Sequence, residues 1–243
     1  MKPSVIFITF LFVFIPHTLF AQNNAPQTTP TPAPDLQQVT DEKEFKTILE
    51  LLETKRQAIV DFSATFKQEK ILLPFNEKEE ATGTIHFKSP DKIKWSFLAP
   101  EKNTILVKGE TGYIISDDLE QVQVFGLEET NQFDFLLAGF GRPIQNYFFD
   151  FNVKCFKGKK DGKQIYRFVL VPKSKENDIS QVLKQFEITI DAQSLLLQSS
   201  KLTEISGDIT YMYFSDTTIN QQLDASVFDY KIPSEYQVMD YRE

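Results

Sequence analysis

From Asp61 onward the chain alternates apolar and polar residues with period two, and it keeps doing so in short runs nearly to its end. Phe62, Ala64, Phe66 and Gln68 fall on one side of the first run, with Ser63, Thr65, Lys67 and Glu69 on the other. That is the pattern of a half-buried β-strand. Comparable runs recur at about 81–88, 92–98, 103–108, 112–116, 121–126, 150–157, 164–171, 184–190, 195–204 and 208–215. Several are joined by turn-forming residues, among them Ser116-Asp117-Asp118, Asp161-Gly162 and Ser206-Gly207-Asp208. Eleven strands with short, mostly antiparallel connections must curl, close or split to manage their faces and edges.

Two segments break the pattern. Residues 41–59 place Phe45, Ile48, Leu49 and Leu52 at helical spacing, and Asp41 followed by Glu44 resembles a capping box. Residues 131–149 carry Phe133, Leu136, Leu137 and Phe140 at helical spacing before Gly141-Arg142-Pro143 interrupts them. The fold expected is a large curved antiparallel sheet with an N-terminal helix and a helical insertion, in a single domain covering residues 40–243.

Ahead of that domain, Lys2 precedes the apolar run from Val5 to Ile15, and a short segment then ends at Ala21, which reads as a secretory signal peptide over residues 1–21. Residues 22–39 form a Pro- and Thr-rich tract that reads as a flexible tether, with order expected to begin near Asp41. No cysteine stands at the expected cut, so the chain is not read as a lipoprotein itself. Cys155 is the only cysteine, which precludes an intramolecular disulfide, and its setting in a strand-like run marks it as a packing residue. A periplasmic location fits these features.

The formal charge of −8, with 34 acidic residues against 26 basic ones, argues against nucleic acid as a partner. Chemistry-bearing constellations are scarce. His17 leaves with the leader, and the remaining His86 sits between Ile85 and Phe87 in a strand. One histidine and one cysteine make neither a zinc site nor a nucleophilic pair. The pairs Asp117-Asp118 and Glu128-Glu129 fall in turn-like settings and read as solvated charges, while Lys157–Lys163 reads as a wet hairpin tip. No metal, cofactor or catalytic residue is assigned, and the chain is not expected to be an enzyme.

What the sequence does hold in excess is aromatic residues: 23 phenylalanines, of which five lie in the leader, with eight tyrosines and one tryptophan. A ring-filled core accounts for them, and so does a cavity walled by rings for an apolar guest; composition leaves both open.

In order along the chain, "FSATFKQEK", "TGTIHFKSPDKIKWSFLAPEKNTILVKG", "GYIISDDLEQVQVF" and "VFDYKIPSEYQV" resemble the LolA family, the periplasmic carriers of outer-membrane lipoproteins, over about residues 49–239. The most specific element is Ile93-Lys94-Trp95 between Pro90 and Pro100. The resemblance implies an incompletely closed antiparallel β-barrel of about eleven strands, with a lid of helices over an apolar cavity. By that resemblance Ile93 and Trp95 face the cavity, joined by Phe66, Phe87, Ile105, Val107, Tyr113 and Ile115, and Phe133, Leu136 and Leu137 belong to the lid. It further implies acylated lipoproteins as guests, an inner-membrane ABC exporter complex as donor, an outer-membrane receptor or acceptor, and a monomer without cofactor.

Two departures matter. The family often has an arginine before the proline of this motif, as a latch on the lid, and here the latch position is Ser89, which lacks that charged fork; Lys88, Lys92 or Arg142 are the candidate substitutes. Gly112-Tyr113 stands where a bulky apolar residue and a tryptophan are common. The loss of the arginine gives some weight to another lipid or glycolipid as guest on the same fold, and a periplasmic lipid-sensing regulatory protein is the reading from a different class.

Overall fold

The computed structural model describes residues 35–73, 75–126, 144–173 and 178–242. Helix α1 (Glu42–Gln57) starts where the carboxylate of Asp41 accepts a hydrogen bond from the Glu44 N–H at 2.6 Å. Glu42 and Glu44 in its first turn and Lys55 and Arg56 in its last both complement the helix dipole. Ile48 and Leu49, from the apolar stripe, are buried.

All eleven expected strands are present: β2 (Asp61–Leu72), β3 (Glu77–Lys88), β4 (Lys92–Ala99), β5 (Asn103–Lys108), β6 (Thr111–Ser116), β7 (Gln121–Gly126), β8 (Phe151–Lys160), β9 (Lys163–Pro172), β10 (Leu183–Asp191), β11 (Leu197–Glu204) and β12 (Ile209–Ile219). Two short strands join them, β1 (Leu36–Gln38) and β13 (Gln237–Asp240), and a five-residue helix, α2 (Asp178–Val182), leads into β10. The thirteen form one sheet in the order β1-β8-β9-β10-β11-β12-β2-β3-β4-β5-β6-β7-β13.

The expected incompletely closed barrel is seen as one open sheet with β1 and β13 as its edges. Two details are corrected. The sheet has thirteen strands, and β13 runs parallel to β7 while every other pair is antiparallel. Residues 36–38, placed in the flexible tract, pair with β8, and the Val39 N–H donates to the Cys155 carbonyl at 2.9 Å. Backbone hydrogen bonding on a neighbouring strand needs no apolar side chain, so a Leu-Gln-Gln segment can extend a sheet without any periodic signal. The leader and residues 131–143 of the expected 131–149 insertion, including Phe133, Leu136, Leu137 and Arg142, lie outside the described residues, and Ile144–Phe148 form a short 3₁₀ helix.

Short connections hold the hairpins in register. At the β8–β9 turn both Asp161 (φ 51°) and Gly162 (φ 78°) take positive φ, as a tight hairpin turn requires. Burial then follows the pleat: β4 alternates buried Ile93, Trp95 and Phe97 with part-exposed lysine and serine positions.

Candidate functional site: one apolar face and its covers

In an antiparallel ladder, directly paired residues project to the same side of the sheet, so the register assigns each side chain to a face. Phe62 pairs with Phe87, Phe87 with Ile93, and Ile93 with Val107. One pleat farther along, Ala64, Ile85, Trp95 and Ile105 line up in the same way. The next row is Phe214, Phe66, Gly83 and Phe97. These three rows make a continuous apolar face with Trp95, 3% exposed, in the middle.

The rings on this face touch one another. Phe62 and Phe87 stack with centroids 5.5 Å apart. Phe66 meets Trp95 at 5.4 Å and lies edge-on to Phe97 at 5.1 Å, and Trp95 meets Phe214 edge-on at 6.1 Å. The indole Nε1–H of Trp95 is buried and has no hydrogen-bond partner among the described residues.

Six of the eight side chains expected together, Phe66, Phe87, Ile93, Trp95, Ile105 and Val107, do share this face and are buried. Tyr113 and Ile115 do not. Ile105 pairs with Ile114 and Val107 with Gly112, so Tyr113 and Ile115 point to the other side together with Leu106. Phe62, Ile85, Phe97, Ile114 and Phe214 belong to the face but were absent from the expected set; for Phe97 the alternation of Ile93 and Trp95 already carried the signal.

The opposite face is covered by the chain's own C-terminal segment. Leu106, Ile115, Val122, Val124 and Phe228 form a buried cluster, flanked by Tyr113, Leu223, Val227, Tyr230, Ile232 and Tyr236. Polar contacts fasten this strap. The buried Asp61 carboxylate accepts from the N–H groups of Gln221 (2.9 Å) and Leu223 (3.2 Å). Lys88 donates to the Leu223 carbonyl and Lys94 to that of Val227 (3.2 Å), while Lys108 lies 3.6 Å from Asp229. Lys88 is therefore engaged with the strap on the opposite face. Ser89 contributes its N–H to the Val60 carbonyl at 2.8 Å. Asn220 ties the same corner, accepting from Val60 N–H at 2.8 Å and donating to the Ala58 carbonyl at 2.7 Å just beyond α1.

At the Phe62 end of the apolar face, α1 leaves a small groove of about 40 Å³, partly open to solvent, lined by Leu49, Leu52, Ile59, Phe62, Ile190 and Ile219 among others. Arg56 borders it, bonded through Nε and Nη2 to the Glu53 carboxylate at 2.8 and 2.6 Å, and that guanidinium holds the carboxyl below its ordinary range. The other end of α1 is tied to β8 through Glu44 and Lys157.

The isolated reactive types are accounted for by packing. Cys155 is buried and its thiol is pushed up to about 12, first by burial and then by Glu44. His86 lies on the strap side, 2.9 Å from the Ser63 hydroxyl, and burial together with Lys94 lowers its pKa. Among the described residues no group of three or more His, Cys, Asp or Glu side chains is placed to hold a metal ion.

Residues 57–231 match the family model described as outer membrane lipoprotein carrier protein LolA. An outer-membrane lipoprotein carrier protein from Chromohalobacter salexigens is 26% identical over 180 residues, covering 73% of this chain and 79% of its own length. One from Azotobacter vinelandii is 26% identical over 195 residues, covering 79% and 86%. Among solved structures, an uncharacterized conserved protein from Thermus thermophilus superposes with a TM-score of 0.54 at 11% identity, over 81% of this chain and 99% of that one. With the motif Ile93-Lys94-Trp95 at the centre of its apolar face and a match running from the end of α1 into the strap, this chain belongs to the LolA outer membrane lipoprotein carrier family.

Proposed function

We propose that the protein is a periplasmic chaperone that carries acylated lipoproteins between the two membranes of the envelope. The observation that supports this reading is the continuous apolar face built around Trp95 in a chain of a carrier family. Each methylene removed from water is worth about 0.8 kcal/mol, so acyl chains do not cross an aqueous compartment unless a carrier offers comparable apolar area. Release then requires a conformational step that offsets part of that stabilisation.

In this reading Phe66, Phe87, Ile93, Trp95, Ile105 and Val107 contact the chains, while α1 and the segment bearing Phe133, Leu136 and Leu137 act as the lid. Residues 1–21 direct export and are removed. A monomer receives its cargo from an inner-membrane ABC exporter complex and passes it to an outer-membrane receptor or acceptor. The cycle needs neither covalent chemistry nor a cofactor.

Native mass spectrometry of the protein taken from its own periplasm tests this directly. A co-purifying acylated protein is the expected result. A protein that emerges bare, and that captures neither a lipopeptide nor a lipid on challenge, overturns the reading.

A further inference from the structure

The face bearing Trp95 changes character along its strands. Its first three rows, at Phe62, Ala64 and Phe66 of β2, are apolar. The fourth pairs Gln68 with Met212, and the fifth sets Lys70 against Thr210, which pairs in turn with Leu202. Glu204 follows two residues beyond Leu202 on β11, on the same side. From Phe62 to Lys70 is eight residues, or about 26 Å of strand, long enough to lay out an extended acyl chain.

At the far end Gln68 and Thr210 are buried, and Lys70 and Glu204 are part-exposed. Gln68 is 9% exposed and Thr210 8%. Thr210 Oγ1 and Glu204 Oε1 are buried with no hydrogen-bond partner among the described residues. Such atoms are costly in a folded protein and ask for a partner. Burial pushes the Glu204 carboxyl up and draws the Lys70 ammonium down, the latter against the pull of Glu204, Glu79 and Asp208. A donor that is also an acceptor, a cation and a carboxyl thus converge at one end of an otherwise apolar strip.

We infer that this end is a polar subsite for the ester- and amide-bearing junction of an amphiphilic guest, with its acyl chains running past Trp95 toward Phe62. The inference rests on the carrier reading above. Lys70 and the Thr210 hydroxyl donate to carbonyl oxygens of the junction, and Glu204 accepts from an amide N–H. Glycerol-linked lipids and the acylated cysteine of a lipoprotein share the ester carbonyls; the amide N–H belongs to the latter.

The test measures binding of three probes to the purified protein and to its Thr210→Val, Glu204→Leu and doubly substituted variants. The probes are a synthetic diacylglyceryl-cysteinyl peptide with an N-acyl amide, a phosphatidylethanolamine with the same chains, and the headless apolar dye N-phenyl-1-naphthylamine. Each single variant should weaken the lipopeptide by about two- to tenfold, the worth of one hydrogen bond, and leave the dye unchanged. Lipopeptide binding unaltered in the double variant overturns the subsite while the carrier reading stands. A loss confined to phosphatidylethanolamine overturns the lipoprotein junction as its occupant. Failure of the unmodified protein to bind any of the three overturns the carrier reading itself.

Discussion

Phe66 and Gly83 are register partners on β2 and β3, and the phenylalanine ring occupies the space a side chain at position 83 would fill. A Cβ on Gly83 would stand 2.5 Å from the ring's Cζ and 2.0 Å from the Ser96 carbonyl oxygen. The same substitution of ring for side chain recurs at Gly112, where a Cβ would meet the Phe125 ring at 2.1 Å. The aromatic face is thus packed partly through missing side chains.

Gly83→Ala should therefore destabilise the fold by about 1–3 kcal/mol, the usual range for overpacking, because the Ser96 contact is backbone and cannot rotate away. Urea unfolding checks this as a lower midpoint at unchanged slope. An unshifted midpoint would mean that β3 and β4 can separate freely at this point.

Trp95 is the protein's sole tryptophan, so its emission reports on the apolar face alone. A guest carrying brominated acyl chains should quench that emission on binding, and the unbrominated guest should not. Binding without quenching, confirmed by an independent measurement, would place the acyl chains elsewhere.

Asp61 is 5% exposed and holds two backbone N–H groups of the strap. Asp61→Ala should cost about 1.5–3 kcal/mol, the range for hydrogen bonds to a charged group. Amide hydrogen exchange should accelerate at residues 221–228 ahead of the rest of the sheet. Uniform acceleration across all strands would show that the strap does not loosen as a separate unit.

The Glu204 carboxyl is raised from its ordinary value near 4.5 by burial. A carboxyl whose pKa is higher in the folded state favours the fold while it is protonated, and that contribution is lost as pH rises from the unfolded value through the folded one. Glu204→Gln should accordingly leave the melting temperature little changed below about pH 4 and raise it relative to the unmodified protein near pH 7. A difference independent of pH would remove Glu204 from the account.

Local periodicity made the eleven main strands and α1 legible, because each buries one face and leaves the other in water. Strand β6 defeats that signal. Its run Gly112-Tyr113-Ile114-Ile115 is apolar on both sides, since one side joins the tryptophan face and the other lies under the strap. Nothing within the run says which residues go where; the register with Ile105 and Val107 decides it. The strap's fastening was illegible for a different reason: Asp61 and Leu223 are 162 residues apart, and no spacing rule connects a carboxylate to a backbone N–H at that distance. The polar end of the face was hidden likewise, because Lys70, Thr210 and Glu204 come from three strands and read singly as ordinary surface residues.

The open sheet ends in strands of three and four residues, β1 and β13. A long bare edge invites another chain to add itself as the next strand, and brevity is one of the ways proteins discourage this. Here the outermost strand on each side offers a newcomer only a few backbone groups to grip. A broad apolar interior is thus bordered on each side by an outermost strand too short to serve by itself as a template for a second copy.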